Sequence, residues 1–192
     1  PVNVAVIGKG YPQLFEDLVV KQIADLAKET GHPVNLVYSE VMRREKRLSP
    51  NVSKIKINVL VFFAPKAELG ALIEKNTKGA FKAADVEKYL KLGFCHGRMQ
   101  IRKSGALKFA YAAVPAEMVS QVKYGNVMVD PKIFLRACVT EEISQIMGLI
   151  NDVKGLKFSI FSDDSPHVDL TEADRWMLRM LYDPRMKAGM KP

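Results

Sequence analysis

The sequence is poor in the residues that build most transition-metal sites. Among 192 residues there are two cysteines, three histidines and a single tryptophan. Neither cysteine belongs to a Cys-x-x-Cys pair, which argues against a structural zinc knuckle. The P-loop pattern and the Gly-x-Ser-x-Gly turn are also missing from the sequence, so the nucleotide-hydrolysing and serine-hydrolase chemistries that depend on them are excluded.

Long apolar segments are missing as well. Apolar runs are short, as in Val59–Ala64 with six residues, whereas a transmembrane helix needs about 20. Hydrophobic residues nevertheless make up 48% of the chain and charged residues 26%, which predicts a folded core.

The net charge of +8 is spread along the sequence, which predicts no nucleic-acid partner. One dense basic run, Arg43–Arg47, is followed by Lys54 and Lys56. We interpret the basic stretch 43–56 as a solvated surface, and contact with an anionic partner is the open alternative.

Strand and helix patterns alternate along the chain. β-branched and aromatic residues predict strands, and apolar residues at helical spacing predict helices. Strands are predicted at 1–8, 34–38, 56–63, 98–103 and 107–114, helices at 12–30, from Pro65, at 82–92, at 131–147 and at 171–182, and a polar connection at 39–54. This order predicts an α+β fold with a mixed sheet.

The helix predicted at 131–147 carries the most distinctive polar residues. Asp130 and Pro131 form a good helix start, with a side-chain cap followed by proline at the first helical position. Glu141 and Gln145 are four residues apart and therefore share one helix face. The apolar stripe of this helix is Leu135, Val139, Ile143, Ile146 and Ile150.

The segment Cys138–Asp152 resembles the zinc-binding helix of metzincin endopeptidases. In that motif two histidines four residues apart hold the metal, a glutamate beside the first acts on water, a glycine turns the chain and a third histidine follows. Glu142 falls at the general-base position, Gly148 at the turn, and Asp152 where several such families carry an acid. The three histidine positions are altered, to Glu141, Gln145 and Asn151.

Two later segments resemble further parts of metzincins. Ser159, Ile160 and Phe161 resemble the Met-turn beneath the metal, with Phe161 at the methionine position, and Thr171–Tyr182 resembles the closing helix. The resemblance implies a zincin-like α+β domain over 1–192: a mixed twisted sheet with an N-terminal helix, an active-site-type helix, a Met-turn-like loop and a C-terminal helix. The sheet and most helices would occupy 1–150, and a small C-terminal subdomain would occupy 151–192.

The chain resembles more closely a bacterial family of exported proteins of unknown function, many of them lipoproteins. The matching positions are dense over 138–190 and include Cys138, Glu141, Glu142, Gln145, Gly148, Asn151, Asp152, Ser159, Ile160, Phe161 and the run Leu181–Arg185. Spacing alone leaves open whether the two cysteines are thiols or one bridge; the resemblance implies a Cys95–Cys138 disulfide. It also implies a periplasmic or secreted location, with a lipidated N-terminal tether, absent from this chain, left open.

The altered ligand positions argue against zinc. Gln145 and Asn151 offer neutral amide oxygens, whereas zinc prefers thiolate and imidazole ligands, and calcium needs about 6–8 oxygens. We therefore expect no metal and no cofactor. His167 could approach the site from its loop, while His32 and His96 are expected to lie far from it.

Three roles stay open for the polar set. Glu141, Gln145 and Asn151 could pin the helix to the following loop by hydrogen bonds, line a ligand-binding cleft, or assist catalysis by Glu142. We predict a non-catalytic metzincin-like domain that binds a peptide or an envelope protein in the residual cleft, where the sheet edge can accept an extended strand. The alternative is a peptidase-like hydrolase that uses Glu142 with an atypical metal or none.

Overall fold

Strands and helices alternate in the first part of the molecule, and helices dominate the second. The computed structural model describes residues 1–92, 95–120, 122–124, 127–150, 155–162 and 165–190. The strands and helices in chain order are β1 (Val2–Ile7), α1 (Gln13–Thr30), β2 (Val34–Tyr38), α2 (Glu40–Arg44), β3 (Val59–Ala64), α3 (Lys66–Asn76), α4 (Ala83–Leu92), β4 (His96–Ile101), β5 (Leu107–Pro115), β6 (Val122–Tyr124), β7 (Val127–Val129), α5 (Pro131–Gln145) and α6 (Glu172–Leu181).

Five strands form one mixed sheet in the order β2-β1-β3-β5-β4. The pairs β1–β2, β1–β3 and β3–β5 are parallel, and β4 runs antiparallel to β5 at the edge. All six residues of β3 are buried, as expected for a central parallel strand covered on both faces. A separate antiparallel hairpin is formed by β6 and β7.

Helices cover the two faces of the sheet and create two cores. On one face, side chains of α1 and α5 such as Phe15 and Leu135 pack against Val61 of β3. On the other face, Leu69 of α3 and Leu90 of α4 pack around neighbouring sheet residues. Burying each such side chain contributes roughly 1.5–3 kcal/mol, so this sandwich of helices and sheet fixes the position of α5.

Helix α6 is attached to α1 by a buried carboxylate. Glu29 of α1 accepts hydrogen bonds from Arg175 (2.7 Å) and Arg179 (2.8 Å) of α6. Burial opposes ionisation of Glu29, but the two arginines outweigh it, and the pKa of Glu29 lies below its ordinary value. The C-terminal helix is therefore held to the N-terminal helix by charge as well as by packing.

The α+β class with a mixed sheet is confirmed, and three local predictions were wrong. The polar stretch 39–54 contains α2, whose cap is Ser39 accepting from the Met42 amide at 2.9 Å. Helix α5 ends at Gln145, because the chain turns over Ile146–Gly148. Beyond that turn Ile150 is 57% exposed, so it does not belong to the buried apolar stripe.

Within the described ranges, none of the helices combines the length and the apolar character needed to cross a bilayer. The division of the chain at residue 150 stays a prediction.

Candidate functional site

Helix α5 places the predicted polar residues in its last turn. It begins as the sequence predicts: the Asp130 side chain accepts from the Lys132 amide at 2.8 Å, and proline follows at the first helical position. Farther along, the Ser144 hydroxyl accepts from Gln22 Nε2 of α1 at 2.8 Å and donates to the Thr140 carbonyl at 2.6 Å. This buried pair of bonds fixes the rotation of α5 about its axis.

A disulfide joins α5 to the edge strand. Cys138 is bonded to Cys95, with the two Cα atoms 5.9 Å apart, so this predicted bridge is confirmed. Cys95 immediately precedes β4, and Cys138 lies one turn before Glu142. The bond therefore ties the start of the edge strand to the helix that carries the polar set.

Glu142 packs against a glycine of that strand. Glu142 is 6% exposed, and a Cβ added at Gly97 would lie 2.6 Å from Glu142 Oε2. An alanine at position 97 would therefore force the buried carboxylate to shift. Burial raises the pKa of nearby Tyr111, Arg98 opposes the increase, and the charge of Glu142 adds to it.

An open cleft separates the edge strand from the end of α5. Its volume is about 220 Å³, and its walls are Gly97, Arg98 and Met99 on one side and Gln145, Ile146 and Ile150 on the other. Glu141 and Gln145 are half-buried, whereas Glu142 and Ile146 are buried. The structure thus brings Gln145 and the edge strand β4 together at one cleft.

The turn after α5 contacts the last helix. Gly148 has φ +121°, and a Cβ there would lie 2.8 Å from Leu181 Cδ2 of α6. The Tyr182 hydroxyl donates to the Met147 carbonyl at 2.9 Å. Gly148 therefore turns the chain just after α5, and the end of α6 packs against this turn.

The segment Ser159–Phe161 is a buried turn held by Asp174 of α6. Asp174 accepts from the Ser159 hydroxyl at 2.5 Å and from the Ile160 amide at 3.1 Å. The same carboxylate accepts from the Thr171 amide and hydroxyl, each at 2.8 Å, which completes the capping box at the start of α6. All three residues of the turn are buried, so the turn is part of the core and not a surface loop.

The comparisons with known proteins identify a family without a known activity. The sequence pattern of the family described as protein of unknown function (DUF2927) matches residues 1–192. The chain belongs to the DUF2927 family. No curated protein and no solved structure matches it.

Two predicted site residues of this DUF2927 protein, Asn151 and Asp152, lie outside the described residues. Among the residues that are described, no group of three or more His, Cys, Asp or Glu side chains is placed to hold a metal ion. Of the two positions in the described part of α5 that resemble metal-ligand positions, Glu141 is anionic and Gln145 is a neutral amide.

The histidines lie in three different surroundings. His96 begins β4, next to Gly97, so the expectation that it is far from the site was wrong; its ring, however, stacks on Tyr89 of α4 with centroids 4.5 Å apart. Burial, with the charge of Arg98 second, lowers the pKa of His96 to about 4. The His32 ring lies beside the Tyr182 ring, with the two centroids 5.6 Å apart. His167 is exposed, and its amide donates to the Ser165 hydroxyl.

The strand side of the cleft is not predicted by any motif in the sequence. Gly97, Arg98 and Met99 carry no catalytic signature, and their relation to α5 depends on contacts distant in sequence. A glycine inside a strand often marks a close approach by another group. Gly97 was the one local signal that could have located this contact of the DUF2927 site.

Proposed function

We propose that the chain is a metzincin-like domain without zinc-peptidase chemistry, and that the cleft between β4 and α5 binds an extended peptide of an envelope protein. The observation that carries the proposal is the position of Gln145. This residue, at a former metal-ligand position of the motif, lines a cleft whose opposite wall is the edge strand. An amide there can hydrogen-bond a peptide but is a poor ligand for zinc.

The order of the elements supports the proposal. An antiparallel edge strand, a helix with the altered motif, a glycine turn, a buried turn at 159–161 and a closing helix follow in the arrangement that the resemblance implies. Strand β4 is the outermost strand of the five-stranded sheet. Outer strands can accept an extended peptide through their main-chain groups, while adjacent pockets select its side chains.

The position of Glu142 favours binding over hydrolysis. A general base must reach the water or proton on which it acts, whereas Glu142 is 6% exposed and packs on Gly97. Gln145 and Ile150 offer more surface to a ligand. Hydrolysis with Glu142 is therefore the alternative outcome of the experiment below.

The experiment compares two isoleucines of similar exposure, one that lines the cleft and one that does not. Ile150 lines the cleft and is 57% exposed, and Ile133, near the start of α5, is 49% exposed and does not line it. Synthetic unstructured decapeptides are screened by fluorescence anisotropy, and the tightest binder is titrated into I150E and I133E. Because a peptide that covers Ile150 gains about 1.4 kcal/mol or more from apolar contact, I150E should bind it about tenfold more weakly and I133E as the native chain does.

Absence of any binder, or an equal loss in both variants, would contradict the proposal. The same peptides are analysed by mass spectrometry after incubation. Cleavage that disappears in Glu142→Gln would establish the hydrolase instead.

Export is the second part of the proposal. It is supported by the Cys95–Cys138 disulfide, because such bonds persist in oxidising compartments and are rare in the cytosol. Cell fractionation followed by alkylation of free thiols tests it: we expect oxidised protein in the periplasmic or secreted fraction, and reduced protein in the cytosol would contradict it. A lipid tether stays a prediction.

A further inference from the structure

A second cleft lies on the face of the sheet that α3 and α4 cover, where β4 ends and β5 begins. Its volume is about 490 Å³, within the range of about 300–1,000 Å³ typical of small-molecule sites. It is enclosed by the connection between α3 and α4, by the β4–β5 hairpin and by the residues that precede β3. It shares no lining residue with the cleft at Gln145.

The walls of this cleft carry four positive charges. They come from three segments of the chain: Lys56 precedes β3, Lys78 lies between α3 and α4, and Arg102 and Lys108 lie in the β4–β5 hairpin. No acidic residue lines the cleft, and none of the four cations makes an ion pair with a described residue. A space of this volume is roughly 8–10 Å across, about one Debye length at physiological ionic strength, so the charges repel one another there.

The carbonyl groups at the end of helix α3 do not need these cations as hydrogen-bond donors. The last carbonyls of α3 are already occupied by main-chain donors: Ile73 O by the Thr77 amide at 2.9 Å and Glu74 O by the Gly79 amide at 2.8 Å. The Glu74 carboxylate accepts from Lys82 at 3.2 Å and from the Ala83 amide at 3.0 Å. Neither these carbonyls nor the Glu74 carboxylate is therefore paired with a cation of the cleft.

The cleft has a fixed frame. Gln100 Nε2 of β4 donates to the Ala80 carbonyl at 2.9 Å and so ties the α3–α4 connection to the edge strand. The Arg102 amide donates to the Ala106 carbonyl at 2.8 Å at the base of the hairpin. Phe109 stacks on buried Phe81 with ring centroids 6.2 Å apart and forms an apolar part of the wall.

We propose that this cleft is a binding site for a phosphorylated ligand that carries at least two negative charges. A single carboxylate would neutralise one of four cations, whereas a phosphate monoester or a diphosphate presents several charged oxygens together. Arg102 supplies a planar guanidinium that binds phosphate through two parallel hydrogen bonds, and the lysines act as point charges around it. The phosphate can belong to a free molecule or to a lipid headgroup.

The test uses inorganic pyrophosphate and charge-reversal variants of the whole chain. The variant R102E/K108E removes two cations of the cleft. The control K91E/K132E changes the net charge by the same amount at exposed lysines that do not line it. Each charge-assisted hydrogen bond lost weakens binding by about tenfold or more, so calorimetry should show at least that loss in R102E/K108E and nearly native affinity in K91E/K132E.

Three outcomes would overturn the proposal: no pyrophosphate binding at millimolar concentration, an equal loss in both variants, or equal affinity for acetate. All four substituted residues are exposed, so both variants should have the melting temperature of the native chain. A lower melting temperature would reveal a folding defect. Sedimentation with phosphatidylcholine vesicles, with and without phosphatidic acid, distinguishes the sources. Capture by phosphatidic acid that R102E/K108E abolishes assigns a lipid headgroup, and pyrophosphate binding without capture assigns a free ligand.

Discussion

Removing the Cys95–Cys138 disulfide should destabilise the protein by about 4 kcal/mol. The bond closes a loop with a sequence separation of 43 residues, and loop-closure entropy for that length corresponds to about 4 kcal/mol at 25 °C. With a urea m-value of about 2 kcal/mol/M, the unfolding midpoint should fall by about 2 M. The cost should be concentrated where the bond acts, between the start of β4 and the middle of α5.

The assay is urea unfolding of the native chain and of C95A/C138A, each with and without dithiothreitol. Reductant should move the native midpoint toward that of the variant and leave the variant unchanged, which separates loss of the bond from effects of the substitutions. Hydrogen exchange should accelerate most in residues 96–101, since β4 is an edge strand held on one side by β5. A midpoint shift of under about 0.5 M would refute the assignment of stability to this loop.

Three further predictions concern buried polar contacts. Replacing Asp174 by alanine should cost about 3–5 kcal/mol in urea unfolding, because four hydrogen bonds to a buried carboxylate are lost; a cost below about 1 kcal/mol would contradict that reasoning. Glu29→Gln should destabilise at pH 7 by about 1.5–3 kcal/mol. The pKa of Glu29 is lowered from 4.5, so its contribution to stability is complete above that pH and is lost as the pH falls through the folded-state value. The free energies of unfolding of the variant and the native chain should therefore converge in acid. A constant difference down to pH 3 would refute this reasoning. In a double-mutant cycle, Gly97→Ala should cost about 1–3 kcal/mol in the native background and much less beside Glu142→Ala, and additive costs would show that the two residues do not contact.

Local signals account for what the sequence predicted well. The apolar residues of β3 needed no partner to be recognised as a strand, because a central parallel strand is buried on both faces. The Thr171–Asp174 capping box and the Asp130–Pro131 start are also local, and the structure has both caps. Helix α2 was not predicted, because its short sequence is dominated by charges and its cap, Ser39, does not precede an apolar helical pattern.

Contacts between distant segments account for what the sequence could not predict. Ile150 continues the apolar spacing of α5, but φ +121° at Gly148 breaks the helical phase before the chain reaches it. His96 was expected to lie far from the site, and it is 45 positions from Glu141 in the sequence. The pairing of β4 with β5 and the disulfide bring its strand beside α5.

The contacts around α5 bear on the proposed binding role of its polar face. The helix is fixed by a disulfide at Cys138, by packing of Glu142 on the edge strand and by the buried hydrogen bond from α1 to Ser144. These anchors flank Glu141 and Gln145, which are only half-buried. A metal would orient such side chains by coordination, whereas here a rigid backbone fixes their positions before a ligand arrives. Preorganisation of this kind reduces the entropy lost on binding, so a peptide bound at the proposed cleft would meet side chains whose positions are already fixed.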